Sequence, residues 1–367
     1  MSPLFIPGPV DVPPEVLAAQ ARPILDPCST GFHSLLEQVS QKAQPIFNTT
    51  ERIYLLSATT DNLHETAVRS LAQKRVLACV NGPYAARWAE IAIANDKAVD
   101  LLEVPSGQAV SPEQMEAALQ DSEAEAVLLV HNEPATGVEN PLAELAEVIH
   151  RVKPEMLILV DAVSSAGGVP LDMDGWGIDF LFTLSAGCLA LPPGLALAAF
   201  SPRARKKAAQ VESRGWHADI LRWDAMCTPG AESFVPPVSI IYALNTQLER
   251  INLEGWDERF ARHVFLANRL AAWTQEKGLE ILASPAVRSN TITVIENNRG
   301  IDLDALNTFL LKKGMRIAGG YGLLKSRTLR IAHMGETRMS DLEALLAALD
   351  EFLAVHLTQT ILFRRPQ

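Results

Sequence analysis

The sequence is poor in cysteine and has no long apolar run. Its four cysteines lie far apart and form no CxxC pair, which excludes a dense disulfide framework and favours a reducing, cytoplasmic compartment. No run of about 18 apolar residues occurs, so no membrane-spanning helix is expected. The N-terminus has no basic segment before an apolar stretch, so no signal peptide is expected.

Positive charge is also in short supply. The 32 lysines and arginines face 43 aspartates and glutamates, and only ten of the basic residues are lysines. This acidic balance argues against nucleic acid or an anionic membrane as the main partner. With 48% hydrophobic and 20% charged residues, the chain is typical of a folded protein, and 367 residues are enough for two domains.

Between residues 50 and 200, short apolar runs alternate with longer amphipathic segments. This alternation predicts an α/β fold with a mostly parallel sheet covered by helices on both faces. A helix start is predicted at Ser111, because Pro112 follows it and Gln114 completes a capping box. The predicted strands span 53–56, 76–80, 126–130, 157–160, 180–183 and 195–200, and two further helices span 62–73 and 85–94.

After Pro236-Pro237 the pattern changes to two long amphipathic helices, over 238–253 and 256–277, and then to short strands near 291–295 and 328–331. A final helix is predicted from Ser340, with Glu343 completing a capping box. The predicted organisation is an N-terminal arm over 1–20, a large α/β domain over 21–250 and a small C-terminal α/β domain over 251–367.

The loops that follow the strands are where functional residues are expected, because ligands of open parallel sheets bind beyond the carboxyl ends of the strands. Seven motifs, most of them in such loops, occur in the order of a known family. They are Phe5-Ile6-Pro7-Gly8-Pro9-Val10, Asn81-Gly82-Pro83-Tyr84-Ala85-Ala86-Arg87-Trp88, Val160-Asp161-Ala162-Val163-Ser164-Ser165, Gly175-Trp176-Gly177-Ile178-Asp179, Leu191-Pro192-Pro193-Gly194, Pro236-Pro237-Val238-Ser239 and Arg330-Ile331-Ala332-His333-Met334-Gly335.

Together these motifs resemble the class V aminotransferases, in particular the serine–glyoxylate and alanine–glyoxylate branch. The resemblance implies the pyridoxal-phosphate-dependent transferase fold of type I. It also implies a homodimer with shared active sites and amino transfer to small 2-oxo acids.

At one position the chain departs from this family. The family's Schiff-base lysine stands in a Ser-Gln-Lys run before Pro-Pro-Gly, where this chain reads Ser185-Ala186-Gly187. Gly187 therefore stands where the resemblance places the lysine, and no catalytic residue is predicted. That lysine holds the cofactor aldehyde and then moves the proton at the α carbon of the substrate, and glycine can do neither.

The resemblance also assigns cofactor-binding positions. The family holds the cofactor phosphate at a helix N-terminus, where this chain has Asp61, whose charge opposes a phosphate by about 1 kcal/mol in water. Asp61 has two interpretations: it caps the helix, which is favoured, or it faces a new ligand. The cofactor-binding positions that the resemblance assigns are Thr59, Thr60, Asp61, Tyr84, Asp161, Val163, Ser185 and Ala186. Two further contacts of the family are altered, and they fall on Glu232 and Val235.

Three residues keep features that the resemblance assigns to the family's site. The resemblance pairs Asp161 with the pyridine nitrogen, stacks Tyr84 on the ring and places Arg330 on the substrate carboxylate. Each also has a structural interpretation. Asp161 can bond neighbouring backbone amides, Tyr84 can form a wall, and Arg330 can pair with an internal acid.

A metal site is disfavoured. His131-Asn132-Glu133, His64 and Cys188 offer ligand types but no third ligand at a clear spacing, and no metal is predicted. Cys188 has apolar neighbours that raise a thiol pKa, so an inert packing role is favoured over a nucleophilic one.

These departures predict a class V aminotransferase-like protein that has lost ordinary transamination, a pseudoenzyme with a regulatory or partner-subunit role. They also predict that no cofactor is bound covalently and that non-covalent pyridoxal phosphate is disfavoured. One alternative is an enzyme acting on a small carboxylate, amino acid or 2-oxo acid in a remodelled cleft; another is a serine– or alanine–glyoxylate-type transaminase with non-covalent pyridoxal phosphate. The expected partners are a second copy of the chain, an active paralogue in a heterodimer, or a small carboxylate ligand.

Overall fold

The computed structural model describes residues 3–227 and 236–362, and these contain 12 α-helices and 14 strands. The helices are α1 (Pro14–Ala19), α2 (Thr30–Ala43), α3 (Thr60–Leu71), α4 (Pro83–Ala94), α5 (Pro112–Gln120), α6 (Leu142–Val152), α7 (Pro202–Ala208), α8 (Ile220–Met226), α9 (Val238–Glu254), α10 (Trp256–Glu276), α11 (Leu303–Lys312) and α12 (Met339–Leu362). The strands are β1 (Leu4–Phe5), β2 (Tyr54–Leu56), β3 (Arg75–Val80), β4 (Ala98–Glu103), β5 (Ala126–Val130), β6 (Asn132–Glu133), β7 (Val138–Glu139), β8 (Leu157–Asp161), β9 (Phe180–Leu184), β10 (Ala196–Phe200), β11 (Glu280–Ile281), β12 (Ile292–Glu296), β13 (Arg316–Gly319) and β14 (Thr328–Ala332).

The larger sheet has seven strands in the order β2-β10-β9-β8-β5-β3-β4. Five of them run parallel from β4 to β9, whereas β10 is antiparallel to both of its neighbours. Every residue of β5 and β8 is buried. Because successive side chains of a strand point to opposite faces, both faces are covered, and the predicted α/β architecture with a mostly parallel sheet is confirmed.

The prediction missed strand β4 at the edge of this sheet. β4 pairs in parallel with β3 along its whole length. Its Ala98-Val99-Asp100-Leu101-Leu102-Glu103 sequence mixes charged and apolar residues, and none of the six is buried. An edge strand pairs on one side only and does not need the continuous apolar run that identified the central strands.

A second sheet of five strands has the order β1-β13-β14-β12-β11. β1 pairs in parallel with β13, which brings the N-terminal stretch predicted as an arm into this sheet. A separate apolar cluster lies between this sheet and helices α10, α11 and α12, with Phe5, Leu270, Leu310 and Leu349 among its buried members. The domain boundaries remain a prediction.

The last helix begins differently from the prediction. α12 starts at Met339, and the Asp341 side chain accepts the Arg338 N–H at 2.8 Å. Glu343 instead forms an ion pair with Arg269 at 2.6 Å. A capping box of Ser340 and Glu343 is therefore wrong, because the chain becomes helical one residue earlier and Glu343 bonds a neighbouring helix.

In the two ranges that the structure describes, no helix is both long and apolar enough to cross a membrane.

Candidate active site

A cleft opens beyond the carboxyl ends of the parallel strands. It consists of two cavities of about 220 and 510 Å³ that share Thr60, Tyr84, Leu184 and Ala186 in their walls. The inner cavity is also lined by Asp161, Val163 and Gly187, and the outer one by Thr59, Asp61 and Ser185. The eight predicted cofactor positions and Gly187 therefore meet in one cleft.

Asp161 lies at the floor of the cleft, where it ends strand β8. Its Oδ1 accepts the Val163 N–H at 2.8 Å, and its Oδ2 lies 2.8 Å from Nε2 of His64. His64 is fully buried on α3 and stacks on the Trp88 ring, with the ring centroids 4.4 Å apart. Sequence reasoning considered His64 only as a metal ligand; its position one helical turn after Thr60 was the available signal.

Tyr84 forms a wall of both cavities and is held by the start of helix α4. The buried Glu133 carboxylate accepts the N–H groups of Tyr84 at 3.1 Å and Ala85 at 3.0 Å. A Cβ at Gly82 would lie 2.4 Å from the Glu133 Cγ, so only glycine lets this carboxylate approach. Burial raises the pKa of Glu133 to about 7, against these backbone hydrogen bonds. The prediction considered Glu133 only as a metal ligand and missed its role in holding Tyr84.

Arg330 reaches the edge of the cleft from strand β14. Its Nε donates to the Gly319 carbonyl at 2.6 Å, and its Nη1 donates to the Pro134 carbonyl, a wall residue, at 3.4 Å. The Tyr321 ring stacks on Tyr84 at 4.9 Å, and its centroid lies 6.0 Å from the Arg330 Cζ. Within the described residues no carboxylate forms an ion pair with Arg330, so the interpretation that it pairs with an internal acid finds no partner there.

At the outer end of the cleft, Asp61 lies in the first turn of α3 but does not cap it. Thr59 is the N-cap, and its hydroxyl and the Asn62 side chain form a reciprocal capping box. Asp61 instead forms an ion pair with Arg87 at 2.7 Å, and both side chains are nearly half exposed. The favoured capping interpretation is therefore wrong, because the hydroxyl two residues earlier already accepts the orphan N–H.

The loop that contains Gly187 packs closely against the loop after β8. A Cβ added to Gly187 would lie 2.8 Å from the Val163 carbonyl oxygen, closer than side chains approach a backbone atom. The fully buried Arg259 donates to the Cys188 carbonyl at 2.7 Å and to the Gly167 carbonyl at 2.9 Å. The Gly187 loop is therefore held in place from below by a cation that sequence reasoning did not identify.

His131 and Cys188 are buried and uncharged. Burial lowers the pKa of His131 to about 4, and its Nδ1 lies 2.9 Å from the Ser165 hydroxyl. Burial raises the pKa of the Cys188 thiol to about 12, which suits the packing role rather than a nucleophile. Over residues 3–227 and 236–362, no three His, Cys, Asp or Glu side chains gather as a metal site would need. Glu232 and Val235 lie outside the described residues.

The fold is that of the pyridoxal-phosphate-dependent aminotransferases, and the cleft lies at the carboxyl ends of its parallel strands. An alanine–glyoxylate aminotransferase from Nostoc sp. superposes with a TM-score of 0.90 at 26% identity, covering 95% of this chain and 94% of that one. A pyridoxamine–pyruvate aminotransferase from Mesorhizobium loti also has a TM-score of 0.90, at 27% identity, covering 96% of this chain and 92% of that one. The predicted fold is confirmed.

Residues 19–345 match the class-V aminotransferase family, and the chain belongs to that family. An uncharacterized aminotransferase of Methanocaldococcus jannaschii is 32% identical over 353 residues, which are 95% of this chain and 91% of that protein. The L-aspartate–glyoxylate aminotransferase of Paracoccus denitrificans is 31% identical over 342 residues, which are 91% of this chain and 86% of that enzyme.

One prediction is contradicted by these relationships. The expectation that no cofactor is bound covalently, with non-covalent pyridoxal phosphate disfavoured, conflicts with a family whose members are pyridoxal-phosphate-dependent and hold the cofactor covalently. The prediction took the altered positions of the cleft, Gly187 and Asp61 foremost among them, to decide against the cofactor. The walls fit the cofactor ring: Asp161 offers carboxylate oxygens at the floor and Tyr84 an aromatic face at the side. Thr59 and Thr60 lie at the helix end on the outer side.

Proposed function

We propose that this protein binds the family's pyridoxal cofactor in the cleft but has lost ordinary lysine-dependent transamination. Gly187 carries this proposal. It lines the inner cavity at the position that the Pro192-Pro193-Gly194 motif gives to the family's lysine. None of the ten lysines of the chain is among the residues that line the two cavities.

The backbone around Gly187 supports the proposal independently of the motif. The 2.8 Å approach to the Val163 carbonyl is made by backbone atoms, which cannot rotate away as a flexible side chain can. Any side chain at position 187 would therefore require the loop to shift.

The remaining residues of the cleft are suited to binding. Bound pyridoxal phosphate supplies an electron sink for bonds at the α carbon of an amino substrate. Asp161 would accept a hydrogen bond from the ring nitrogen, and Tyr84 would stack on one face of the ring. Proton transfer at the α carbon needs a positioned base, and glycine offers none at position 187.

A small carboxylate is the ligand class that the other end of the cleft favours. Arg330 is 9% exposed and has no carboxylate partner among the described residues. Its planar guanidinium can hold a carboxylate by two parallel hydrogen bonds. The second candidate function is accordingly an enzyme that acts on a small carboxylate at Arg330 by another route, and glyoxylate and pyruvate are the probes for it.

The proposed role is regulatory or that of a partner subunit. The family implies active sites shared between two protomers, so a homodimer is proposed, and a heterodimer with a lysine-bearing paralogue would join this cleft to a complete one. Co-purification of such a paralogue from the source cell supports the heterodimer. A light-scattering mass of one chain for the protein from that cell contradicts both assemblies.

The test is amino transfer from L-serine, L-alanine or L-aspartate to glyoxylate by the full-length chain supplied with pyridoxal phosphate. No rate above the protein-free background is expected, while quenching of tryptophan fluorescence reports cofactor binding. Asp161→Ala should weaken that binding, whereas Asp304→Ala, remote on α11, should not. Gly187→Lys alone should not restore transfer, because its Cβ meets the Val163 carbonyl.

Turnover by the unmodified chain at ordinary enzyme rates, about 1–1,000 per second, overturns the loss of transamination. Failure to bind the cofactor overturns the assignment of the cleft. Turnover of glyoxylate or pyruvate without an amino donor, abolished by Arg330→Gln, selects the second candidate.

A further inference from the structure

Beneath the proposed ring site lies His64, a side chain that contacts neither of the two cavities. His64 is fully buried on α3, and its Nε2 lies 2.8 Å from the Asp161 Oδ2. The second ring nitrogen, Nδ1, is buried and has no protein hydrogen-bond partner. Buried polar atoms are nearly always paired, so a buried histidine with one paired and one unpaired nitrogen calls for an explanation.

Among the residues that the structure describes, none offers His64 Nδ1 a hydrogen-bond acceptor. The Trp88 ring stacks on the imidazole at an interplanar angle of 19°, and the Phe182 ring meets it edge-on at 5.5 Å between centroids. The Trp88 Nε1–H is already donated to the His64 carbonyl at 3.2 Å. A proton on Nδ1 would therefore be a buried donor without an acceptor, which is costly.

This decides the protonation of the pair. With Nδ1 bare, the one proton of the imidazole is on Nε2 and is donated to Asp161, which must then be the carboxylate. The opposite tautomer would point a lone pair at the carboxylate and leave the donor unsatisfied. Asp161 has one further bond, from the Val163 N–H, and within the described residues no lysine or arginine forms an ion pair with it.

Both donors to Asp161 are thus uncharged. An arginine in place of His64 would orient the carboxylate equally well but would cancel its charge. A neutral imidazole orients the carboxylate and leaves its full negative charge directed at the inner cavity, where a carboxylate with little solvent attracts a cationic donor strongly. Burial, and to a lesser degree the nearby Asp161 charge, raise the pKa of the neighbouring Glu133 to about 7, which weakens the competing negative charge near the floor.

We propose that His64 is a positioning residue whose neutral, Nε2-protonated imidazole holds Asp161 as an unneutralised carboxylate, so that the cleft selects a ring with a protonated nitrogen. The inference rests on the proposed function, because it takes the inner cavity to be the ring site. It adds His64 as the residue that makes the site selective. The form of the ligand that the site selects is a pyridinium rather than a neutral aromatic ring.

The first test measures the protonation of His64 directly. Nitrogen NMR of the full chain labelled at histidine should show one protonated and one bare ring nitrogen for His64 at neutral pH, with the proton on Nε2. The assignment comes from loss of the signal in His64→Gln. A doubly protonated ring, or a proton on Nδ1, overturns the inference.

The second test compares two probes that lack an aldehyde: pyridoxine 5′-phosphate and the same molecule with carbon in place of the ring nitrogen. The unmodified chain should bind the pyridine probe at least about 10-fold more tightly, as a charged hydrogen bond implies. His64→Leu should remove most of this preference and leave the affinity for the carbon probe unchanged. His64→Gln, which keeps an N–H donor, should retain the preference.

The outcomes separate this inference from the proposed function. If neither probe binds the unmodified chain, the proposed ring site fails. If both probes bind equally, or if His64→Leu weakens both by the same factor, the ring site stands and the role of His64 is wrong. Should His64→Leu not fold, the probe ratio of the unmodified chain and the tautomer still decide the question.

Discussion

The floor and the mouth of the cleft treat charge in opposite ways. The floor consists of Asp161, Glu133 and Arg259, which are buried and bonded by fixed partners, many of them uncharged backbone groups. The mouth consists of Asp61 and Arg87, which are nearly half exposed and neutralise each other. A carboxylate is therefore a fixed, directed charge where it is buried at the floor. At the mouth, where it is exposed, it is one half of an ion pair that solvent screens. Burial, rather than residue type, decides what a charge does.

The strongest test of this comparison removes the buried cation. Arg259→Ala should lower the free energy of unfolding by about 3–5 kcal/mol, because it deletes a fully buried guanidinium bonded to two carbonyls and to Glu254 and Glu336. Denaturant unfolding measures the loss. The control is Arg269→Ala, which breaks the exposed pair with Glu343 and should cost less than about 1 kcal/mol. Equal losses of unfolding free energy in the two variants would show that burial does not decide how much a charged side chain contributes to stability.

The pH dependence of stability tests the floor carboxylate Glu133. Its pKa is raised from 4.5 to about 7 in the folded protein, so the folded state holds a proton that the unfolded state releases. This contribution to stability is present below about pH 4.5 and is lost as the pH rises through 7, up to about 3 kcal/mol in all. Glu133→Gln should abolish this part of the decline between pH 5 and pH 8.

Three buried histidines, His131, His263 and His333, act in the opposite direction at lower pH, so the Glu133 measurement is made above pH 6.5. Burial lowers the pKa of His131 to about 4, that of His333 to about 3 and that of His263 well below its usual range. All three stay neutral in the fold while the unfolded chain protonates them, so their contribution is lost as the pH falls below about 6.5. If the free energy of unfolding of Glu133→Gln changes with pH as that of the unmodified chain does above pH 6.5, Glu133 is not the titrating group.

The loop between floor and mouth is tested at Gly187. Gly187→Ala should destabilise the protein by about 1–3 kcal/mol, because its Cβ meets the Val163 carbonyl at 2.8 Å. Gly31→Ala is the matched control: it lies in the first turn of α2, where an added Cβ meets only Ser29 Oγ at 3.9 Å, and should be neutral or mildly stabilising. Equal thermal unfolding of the two variants would mean that the loop accepts a side chain at position 187.

The smallest expected effect is at the mouth. Asp61→Thr removes an anion and frees Arg87, so binding of pyridoxine 5′-phosphate relative to pyridoxine should improve roughly 5-fold, as about 1 kcal/mol implies. Asp304→Thr, at another first-turn aspartate, is the control and should leave this ratio unchanged. The ratio is read from fluorescence titrations at two salt concentrations, since screening should shrink the effect. An unchanged ratio in Asp61→Thr would show that the pair does not oppose phosphate.

Much of the larger sheet was predictable from the sequence because its central strands are uniformly apolar. β5 was predicted over its exact span, and the starts of α9 and α10 coincide with Val238 and Trp256. The edge strand β4 was not predicted, since its polar residues carry no such signal. At helix ends the prediction failed twice, at Asp61 and Ser340, because several nearby side chains can cap and only the backbone path selects one.

The sequence by itself determined the family and the set of residues that meet in the cleft, because motif order and the carboxyl ends of parallel strands are properties of the chain. It also determined that position 187 has no side chain. Only the tertiary structure decided how the charges are used: His64 under Asp161, Glu133 behind Tyr84, Arg259 beneath the Gly187 loop and Arg87 on Asp61. These pairs join residues far apart in sequence or on different elements. Their burial and hydrogen-bond geometry, which set the strength of a charge, exist only once the chain has folded.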